Sequence, residues 1–475
     1  MRKFFLSIVI VGACAIPAGP ALAASSEVTL QMDDGVSLAG TLFLPNGTPP
    51  VGGWPAVMLF HGLGATRAGV APIAEGFLVN QGYAVLAYDA RGHGSSGGLV
   101  TLDGPREMAD LRTAFGWLTS RPDVSDTQVG AMGISLGGGA ILRAAVEGVP
   151  FKAIVPTTTW TDLYEALAPQ GWPKTGAIAS FLQSVQKWDP TAYAIAQDAI
   201  RSQNTSTVRA WAAQRSSLSG LSSLRTPTFF IQGRRDYAFD IGQAKRGYKA
   251  VRGPKRIYLG LPGHAPASNP AAEKPYYLNE AREWFDRFLK GLPNGIDTRP
   301  PVEIAADPWT GKTKSFKTFP KTKLLALPLS GASRITASDK VVRTVKLPKR
   351  ALEAFGPASL SVRLKSTSGW SHLVAVLSAL TPDGGETVVS EGGIPTSGLT
   401  AQSTPVTIRL LDDATFIPSG SRLRITLASS STAQNIQNAL YLDVGMPLSA
   451  TLSVGRATLR LPVLQKPVSR RKESR

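Results

Sequence analysis

The segment Gly133-Ile134-Ser135-Leu136-Gly137 constrains this chain more than any other. It follows an apolar run, Val129–Met132, and opens a small-residue helical pattern from Gly138 to Val146. Glycines on either side let the backbone turn sharply between strand and helix, which lifts the serine Oγ out at the top of a sheet. G-x-S-x-G alone is a weak pattern. A strand before it and a helix after it make it a strand–turn–helix corner. A glycine-rich turn with a bystander serine is the competing reading, and those flanking elements disfavour it.

The surrounding residues supply the sheet. Val28-Thr29-Leu30-Gln31-Met32 alternates with period two, Asp33-Asp34-Gly35 turns, and Val36 to Leu44 returns as a second strand. Six more strands are expected at Ala56–Phe60, Tyr83–Tyr88, Val129–Met132, Ala153–Val155, Thr228–Ile231 and Arg256–Leu259. Several are continuous apolar runs, as in strands buried on both faces. Between them lie helices. One begins near Pro105, with Met108, Leu111, Phe115 and Leu118 on one face. Another runs from about Lys274 to Lys290 and stops at Gly291 before Pro293. This rhythm predicts a doubly wound, mostly parallel sheet over residues 24–290. It is interrupted from Trp160 to about Ser223 by a segment of ~60 residues, far longer than an ordinary connection. That segment carries Trp160, Trp172, Trp188 and Trp211 and reads as a helical lid over the strand C-termini, where such sheets bind ligands. An insertion packed on the side is the alternative. Residues 291–301 form a Pro/Gly linker. From 302 to 466 helical periodicity is scarce, while Leu360–Leu364 and Leu423–Leu427 alternate between Gly/Pro turns. An all-β jelly roll or sandwich is expected there, followed by a basic tail, 467–475.

A serine nucleophile needs a base, and the chain has only four histidines. His61, in His61-Gly62-Leu63-Gly64, follows a strand where backbone N–H groups of an oxyanion loop belong. His93 lies in a turn and His372 in the β domain. His264, in Leu261-Pro262-Gly263-His264-Ala265, follows the last of the eight strands and is the base. The acid should follow the seventh strand; Thr228 to Asp236 places Asp236 there, with Asp240 as the alternative. The order Ser135, Asp236, His264 matches that of α/β-hydrolases. Ser135 would attack a carbonyl, His264 would take and return its proton, and Asp236 would orient the imidazole. The N–H groups of Leu63 and Leu136 would hold the developing oxyanion.

These residues resemble a family. The elbow, the run Asp89-x-Arg91-Gly92-x-Gly94-x-Ser96-x-Gly98, the lid after the sixth strand and the C-terminal β domain are similar to the Xaa-Pro dipeptidyl-peptidase and cocaine-esterase-like serine hydrolases. Gln232-Gly233, Asp236, Phe239, Gln243-Ala244 and Gly263-His264 fit the same family, as do Trp309, Phe355-Gly356 and Tyr441-Leu442-Asp443-Val444 in its jelly-roll module. The resemblance implies that Ser135, Asp236 and His264 are the triad. There are two departures: family members often carry a tyrosine donor where Leu63 stands, and an aromatic where Leu136 follows the serine. The expected activity is hydrolysis of carboxylic esters or small amides. The alternative is release of N-terminal dipeptides, which needs acidic groups for a free α-amine; Asp162 and Glu165 in the lid are the candidates. A third reading makes the chain a cell-surface binding protein that uses its jelly roll.

Composition narrows the rest. With 475 residues and 43% of them hydrophobic, the chain is neither disordered nor collagen-like. Met1-Arg2-Lys3, the apolar run Phe4–Ile16 and Ala21-Leu22-Ala23 have the layout of a secretory signal peptide over residues 1–23. A secreted or extracytoplasmic enzyme of the bacterial envelope is therefore expected. Val11-Gly12-Ala13-Cys14 resembles a lipobox and gives the less favoured reading, lipid anchoring at Cys14. That cysteine is the only one, so no internal disulfide and no cysteine-based metal site can form. No cofactor motif and no metal-ligand cluster stand out, and no cofactor or metal is expected. The formal net charge is +18, and residues 312–350 hold eleven basic side chains against one acidic. No nucleic-acid motif accompanies this charge. It suits either an anionic cell-wall or membrane surface or simple solubilisation.

Overall fold

The computed structural model describes residues 24–201, 205–366, 369–433 and 439–469. The expected leader over residues 1–23, Cys14 and the basic residues 470–475 lie outside the described residues.

Strands β1 (Ala24–Gln31) and β2 (Ser37–Leu44) form the expected antiparallel hairpin, with Gly35 at φ 81° in its turn. A parallel series follows: β3 (Trp54–Phe60), β4 (Ala84–Tyr88), β5 (Val124–Ile134), β6 (Ala153–Thr157), β7 (Thr228–Gly233) and β8 (Lys255–Gly260). With β9 (Val302–Ala305) and β10 (Thr313–Phe316) they make one ten-stranded sheet in the order β1-β2-β4-β3-β5-β6-β7-β8-β9-β10. The helices outside the insertion are α1 (Arg67–Ile73), α2 (Pro105–Thr119), α3 (Leu136–Val146), α8 (Ile241–Ala250) and α9 (Lys274–Leu289). The insertion between β6 and β7 folds into α4 (Leu163–Leu167), α5 (Thr175–Gln183), α6 (Pro190–Arg201) and α7 (Thr205–Ala213).

Period-two alternation on buried strands explains why helices cover both faces. On β3, Met58 points into a cluster with Met108, Leu111 and Leu118 of α2 and Ile141 and Leu142 of α3. Its neighbours Val57 and Leu59 point the other way, onto Val70 and Ile73 of α1 and Leu278, Trp284 and Phe285 of α9. Every residue of β4, β6 and β7 is buried, so these strands are mostly apolar along their length, with Thr157, Thr228 and Gln232 the buried polar exceptions. Pro105 sits in the first turn of α2 behind an extended Gly104, where a missing N–H costs nothing.

The C-terminal part is an antiparallel sandwich. One sheet has the order β11 (Thr322–Leu329), β19 (Thr451–Leu464), β14 (Leu352–Ser366), β17 (Thr404–Ile417), with β12 (Ser333–Thr336) also on β19. The other has β13 (Val341–Lys346), β18 (Arg422–Ala428), β15 (His372–Leu380), β16 (Glu386–Pro395). Their facing side chains, among them Leu360, Val362, Leu373, Ile425 and Leu459, form a separate core.

The boundary between the two parts differs from the sequence expectation. Residue 302 does not open the sandwich. Val302, Ile304 and Ala305 are buried in β9, which runs parallel to β8 and extends the first sheet. Glu303 within that strand disguises it. Its buried carboxylate accepts from the Arg256 guanidinium of β8 and from the Tyr276 hydroxyl of α9, which lets an acidic residue sit in an interior strand.

Candidate active site

Ser135 sits at the sharp turn between β5 and α3, with φ 55° and ψ −113°. Such a conformation is costly for a residue with a side chain and is typical of sites where surrounding structure enforces it. The enforcement here is steric. A Cβ on Gly133 would lie 2.1 Å from the Gly137 carbonyl oxygen, and one on Gly137 would lie 2.5 Å from Phe60. Only glycine fits at either place. The elbow is also tied by hydrogen bonds: Ser135 N–H donates to Thr157 O at 2.9 Å, and Thr159 Oγ1 donates to Ser135 O at 2.7 Å.

The structure brings Ser135, His264 and Asp236 together in one line. Ser135 Oγ is 2.9 Å from His264 Nε2. The opposite ring nitrogen, Nδ1, lies 2.9 and 3.1 Å from the two oxygens of Asp236. Asp236 is fully buried and also accepts the backbone N–H groups of His264, at 3.1 Å, and Phe239, at 3.0 Å. Burial alone would weaken proton binding by His264. The charge of Asp236 and its hydrogen bond outweigh this, and the imidazole pKa is raised overall. A hydrogen-bonded serine, base and buried acid can generate a nucleophile, protonate a leaving group and stabilise the intervening imidazolium.

The alternatives separate cleanly. Asp240 faces the sandwich, where Oδ2 accepts Asp412 N–H at 3.1 Å, and it makes no bond to His264. His61 is buried with its pKa lowered to about 4 by burial. Its Nε2 accepts Ala90 N–H at 2.9 Å, and Nδ1 donates to Gly62 O at 2.8 Å. That imidazole braces the loop and performs no proton transfer. His372 stacks on Trp172, with centroids 4.2 Å apart, and bonds to Ser429 O. The loop after β3 lies against the serine: a Cβ on Gly62 would stand 3.5 Å from Ser135 Cβ. Among the described residues, neither the Leu63 nor the Leu136 N–H donates to a protein acceptor, so both are free for an oxyanion.

The insertion reaches the site through α5. Phe181 stands 6.0 Å from the His264 ring and Phe239 stands 5.0 Å from it, both edge-on. With Leu63, Leu136, Trp160 and Leu163 they join one apolar cluster that continues into the lid interior through Tyr164, Leu167, Val208 and Trp211. Two cavities meet at His264. One, about 340 Å³, also touches Ser135 and runs between β6, α1 and the start of α9. The other, about 440 Å³, lies between α5, the Asp236 loop and the Ala439–Leu442 stretch of the sandwich.

Sequence reasoning missed several supports. Lys174 is buried in the lid, and its Nζ donates to the carbonyls of Tyr237 and Ala238 at 2.7 and 3.0 Å, just beyond the acid. Glu273 holds the approach to His264, accepting Tyr258 OH at 2.7 Å and Leu261 N–H at 3.0 Å. Neither residue has a local motif; its role exists only after folding.

This fold and this site define a serine hydrolase of the α/β-hydrolase class. Residues 34–266 match the sequence model of the family described as X-Pro dipeptidyl-peptidase (S15 family). A putative Xaa-Pro dipeptidyl-peptidase of Bacillus anthracis is 23% identical over 256 residues, covering 48% of this chain and 42% of that protein. The match thus spans less than half the length of that relative. Across the whole fold, a CocE/NonD family hydrolase from Staphylococcus aureus superposes with a TM-score of 0.71 at 18% identity, covering 93% of this chain and 94% of that one. An α-amino acid ester hydrolase gives 0.67 at 16% identity, covering 96% and 99%. Residues 34–266 thus carry the likeness to the S15 family, and the likeness to the CocE/NonD hydrolases is one of fold.

Proposed function

We propose that the chain hydrolyses neutral carboxylic esters with an apolar acyl group, through an acyl-enzyme on Ser135. Ser135 Oγ attacks the carbonyl carbon as His264 Nε2 accepts its proton. The Leu63 and Leu136 N–H groups receive the oxyanion, and His264 then protonates the departing alcohol. Water repeats the sequence to release the acid and restore Ser135.

The observation that carries the ester reading is the lining of the site. Among the described residues, the one carboxylate lining the two cavities is Glu273, already engaged by Tyr258 and Leu261. A dipeptidyl peptidase needs a carboxylate for the substrate ammonium. The two lid candidates are occupied elsewhere: Asp162 caps α4 by accepting Glu165 N–H at 3.0 Å, and Glu165 pairs with Arg409 at 3.4 Å. Around the triad the wall is instead apolar.

The peptidase reading draws on the family match. One experiment separates the two: kcat/KM on p-nitrophenyl butyrate and on Ala-Pro-p-nitroanilide, with Ser135→Ala as control. Ester turnover that vanishes in the variant, with no anilide turnover, is expected. Anilide cleavage that disappears when the substrate amine is blocked would replace the ester reading with the peptidase one. Substantial turnover by Ser135→Ala would remove the mechanism altogether.

A further inference from the structure

The loop carrying Asp236 is gripped from outside its own sheet. Two residues before the acid, the Arg234 side chain is fully buried and paired with Glu353 of β14, which is fully buried too. Arg234 Nη1 also donates to Ala305 O of β9 and to Ser469 Oγ, the latter at 3.2 Å. Glu353 accepts the backbone N–H groups of Val468 and of Ser469, the second at 3.1 Å, and Ser469 Oγ at 3.2 Å. The Arg234 main chain is held as well: its N–H donates to Gly260 O at 2.7 Å, and its carbonyl accepts Ala414 N–H from β17 at 2.8 Å. Immediately before the acid, Arg235 Nη2 donates to Val388 O of β16 at 2.9 Å, and just past it Lys174 holds the carbonyls of Tyr237 and Ala238 from the lid side.

Buried ion pairs are poor at adding stability, because desolvation offsets the attraction and apolar residues could fill the same space. What a pair with many directed hydrogen bonds does provide is orientation. This pair sits where the sandwich, the edge of the first sheet and the segment after β19 converge on the stem of the acid loop. We infer that Glu353, acting through Arg234, is a positioning residue for Asp236, so that the β-sandwich sets the geometry of the acid that orients His264. The inference rests on the reading of Asp236 as the acid of the triad.

Glu353→Gln tests it in the full chain. The amide keeps an acceptor for Val468 and Ser469 but leaves the Arg234 charge unneutralised. Small displacements of catalytic groups cost up to about 100-fold in rate, so kcat on p-nitrophenyl butyrate should fall at least ~10-fold, with KM within about twofold. The acid-limb midpoint of kcat/KM should move in the same direction as in Asp236→Asn. The groups facing His264 in that titration are Asp236, Ser135 and, at longer range, Lys174. A folded Glu353→Gln protein with wild-type kcat, or with reduced kcat but an unmoved midpoint, overturns the inference. Should that variant not fold, Arg234→Met with Glu353→Leu removes both buried charges together. Wild-type kcat in that pair overturns the inference, and a reduced kcat with a shifted midpoint supports it. Ser135→Ala and Asp236→Asn run alongside keep the two failures apart. Activity surviving in them removes the triad reading. Activity lost in them but intact in Glu353→Gln removes only the role of Glu353.

Discussion

At the scale of single residues, Asp236 has the most testable effect. Its carboxylate raises the His264 pKa against the opposing effect of burial. Only neutral His264 can act as base, so kcat/KM rises with pH through that pKa. Asp236→Asn removes the charge that raises the pKa and leaves the burial that lowers it. The midpoint of the acid limb should therefore move to lower pH, and kcat should drop by up to about 10⁴-fold as the imidazole loses its oriented tautomer. A pH–rate profile checks both; a midpoint that stays or rises would show that another group governs the base. Ser135 and His264 were legible in the sequence because the elbow has a recognisable context and only four histidines compete. Asp236 was legible as the acid from its place after the seventh strand, with Asp240 remaining as the alternative because both follow β7. The choice depends on side-chain direction, and Asp240 turns to Asp412. Thr159 and Lys174 were not legible at all: a threonine and a lysine without a motif acquire meaning from atoms brought near by folding.

At the scale of elements, the eight strands from β1 to β8 were legible because burial on one or both faces imposes a clear pattern. The ninth was not, because Glu303 breaks the apolar run and its partner Arg256 lies 47 residues away. The insertion was legible as extra length, while its inner surface was not. In the structure α5 turns Phe181 toward His264, and the same ring lines an apolar chamber with Leu163, Ile178, Val208 and Trp211 inside the lid. Phe181 thus separates the reacting centre from that chamber. Phe181→Ala should join them and admit longer acyl chains. The ratio of kcat/KM for p-nitrophenyl octanoate over butyrate should rise, by up to about 100-fold if all the added methylenes are buried at about 0.8 kcal/mol each. Equal loss on both esters would show that the ring is merely packing.

At the scale of the whole molecule, the two parts are not separable modules. A cut at residue 301 would take β9 and β10 away from the ten-stranded sheet and part Arg234 from Glu353. This explains why a chain with two differently textured halves behaves structurally as one unit around the acid loop. The halves do differ in charge. Lys312, Lys314, Lys317, Lys321, Lys323, Arg334, Lys346, Lys349 and Arg350 are exposed on or beside β10 to β13, and among the described residues none pairs with a carboxylate. Strands β11 and β13 are the edges of the two sandwich sheets. Lysines on sheet edges discourage edge-to-edge pairing, and that alone would account for some of them. Lys312, Lys317, Lys349 and Arg350 lie outside strands, however, where edge protection gives no reason for them. We propose attraction to a surface bearing phosphate headgroups as the reason, at roughly 1 kcal/mol per basic residue near such a surface, with simple solubilisation as the competing one. The full chain should therefore sediment with vesicles containing anionic phospholipid at low salt and stay in solution with purely zwitterionic ones. Release should be complete near 1 M salt, where the screening length falls to about 3 Å. Replacing those four residues by glutamine should weaken sedimentation and leave ester turnover in solution unchanged. Equal recovery with both kinds of vesicle would assign the charge to edge protection and solubility alone.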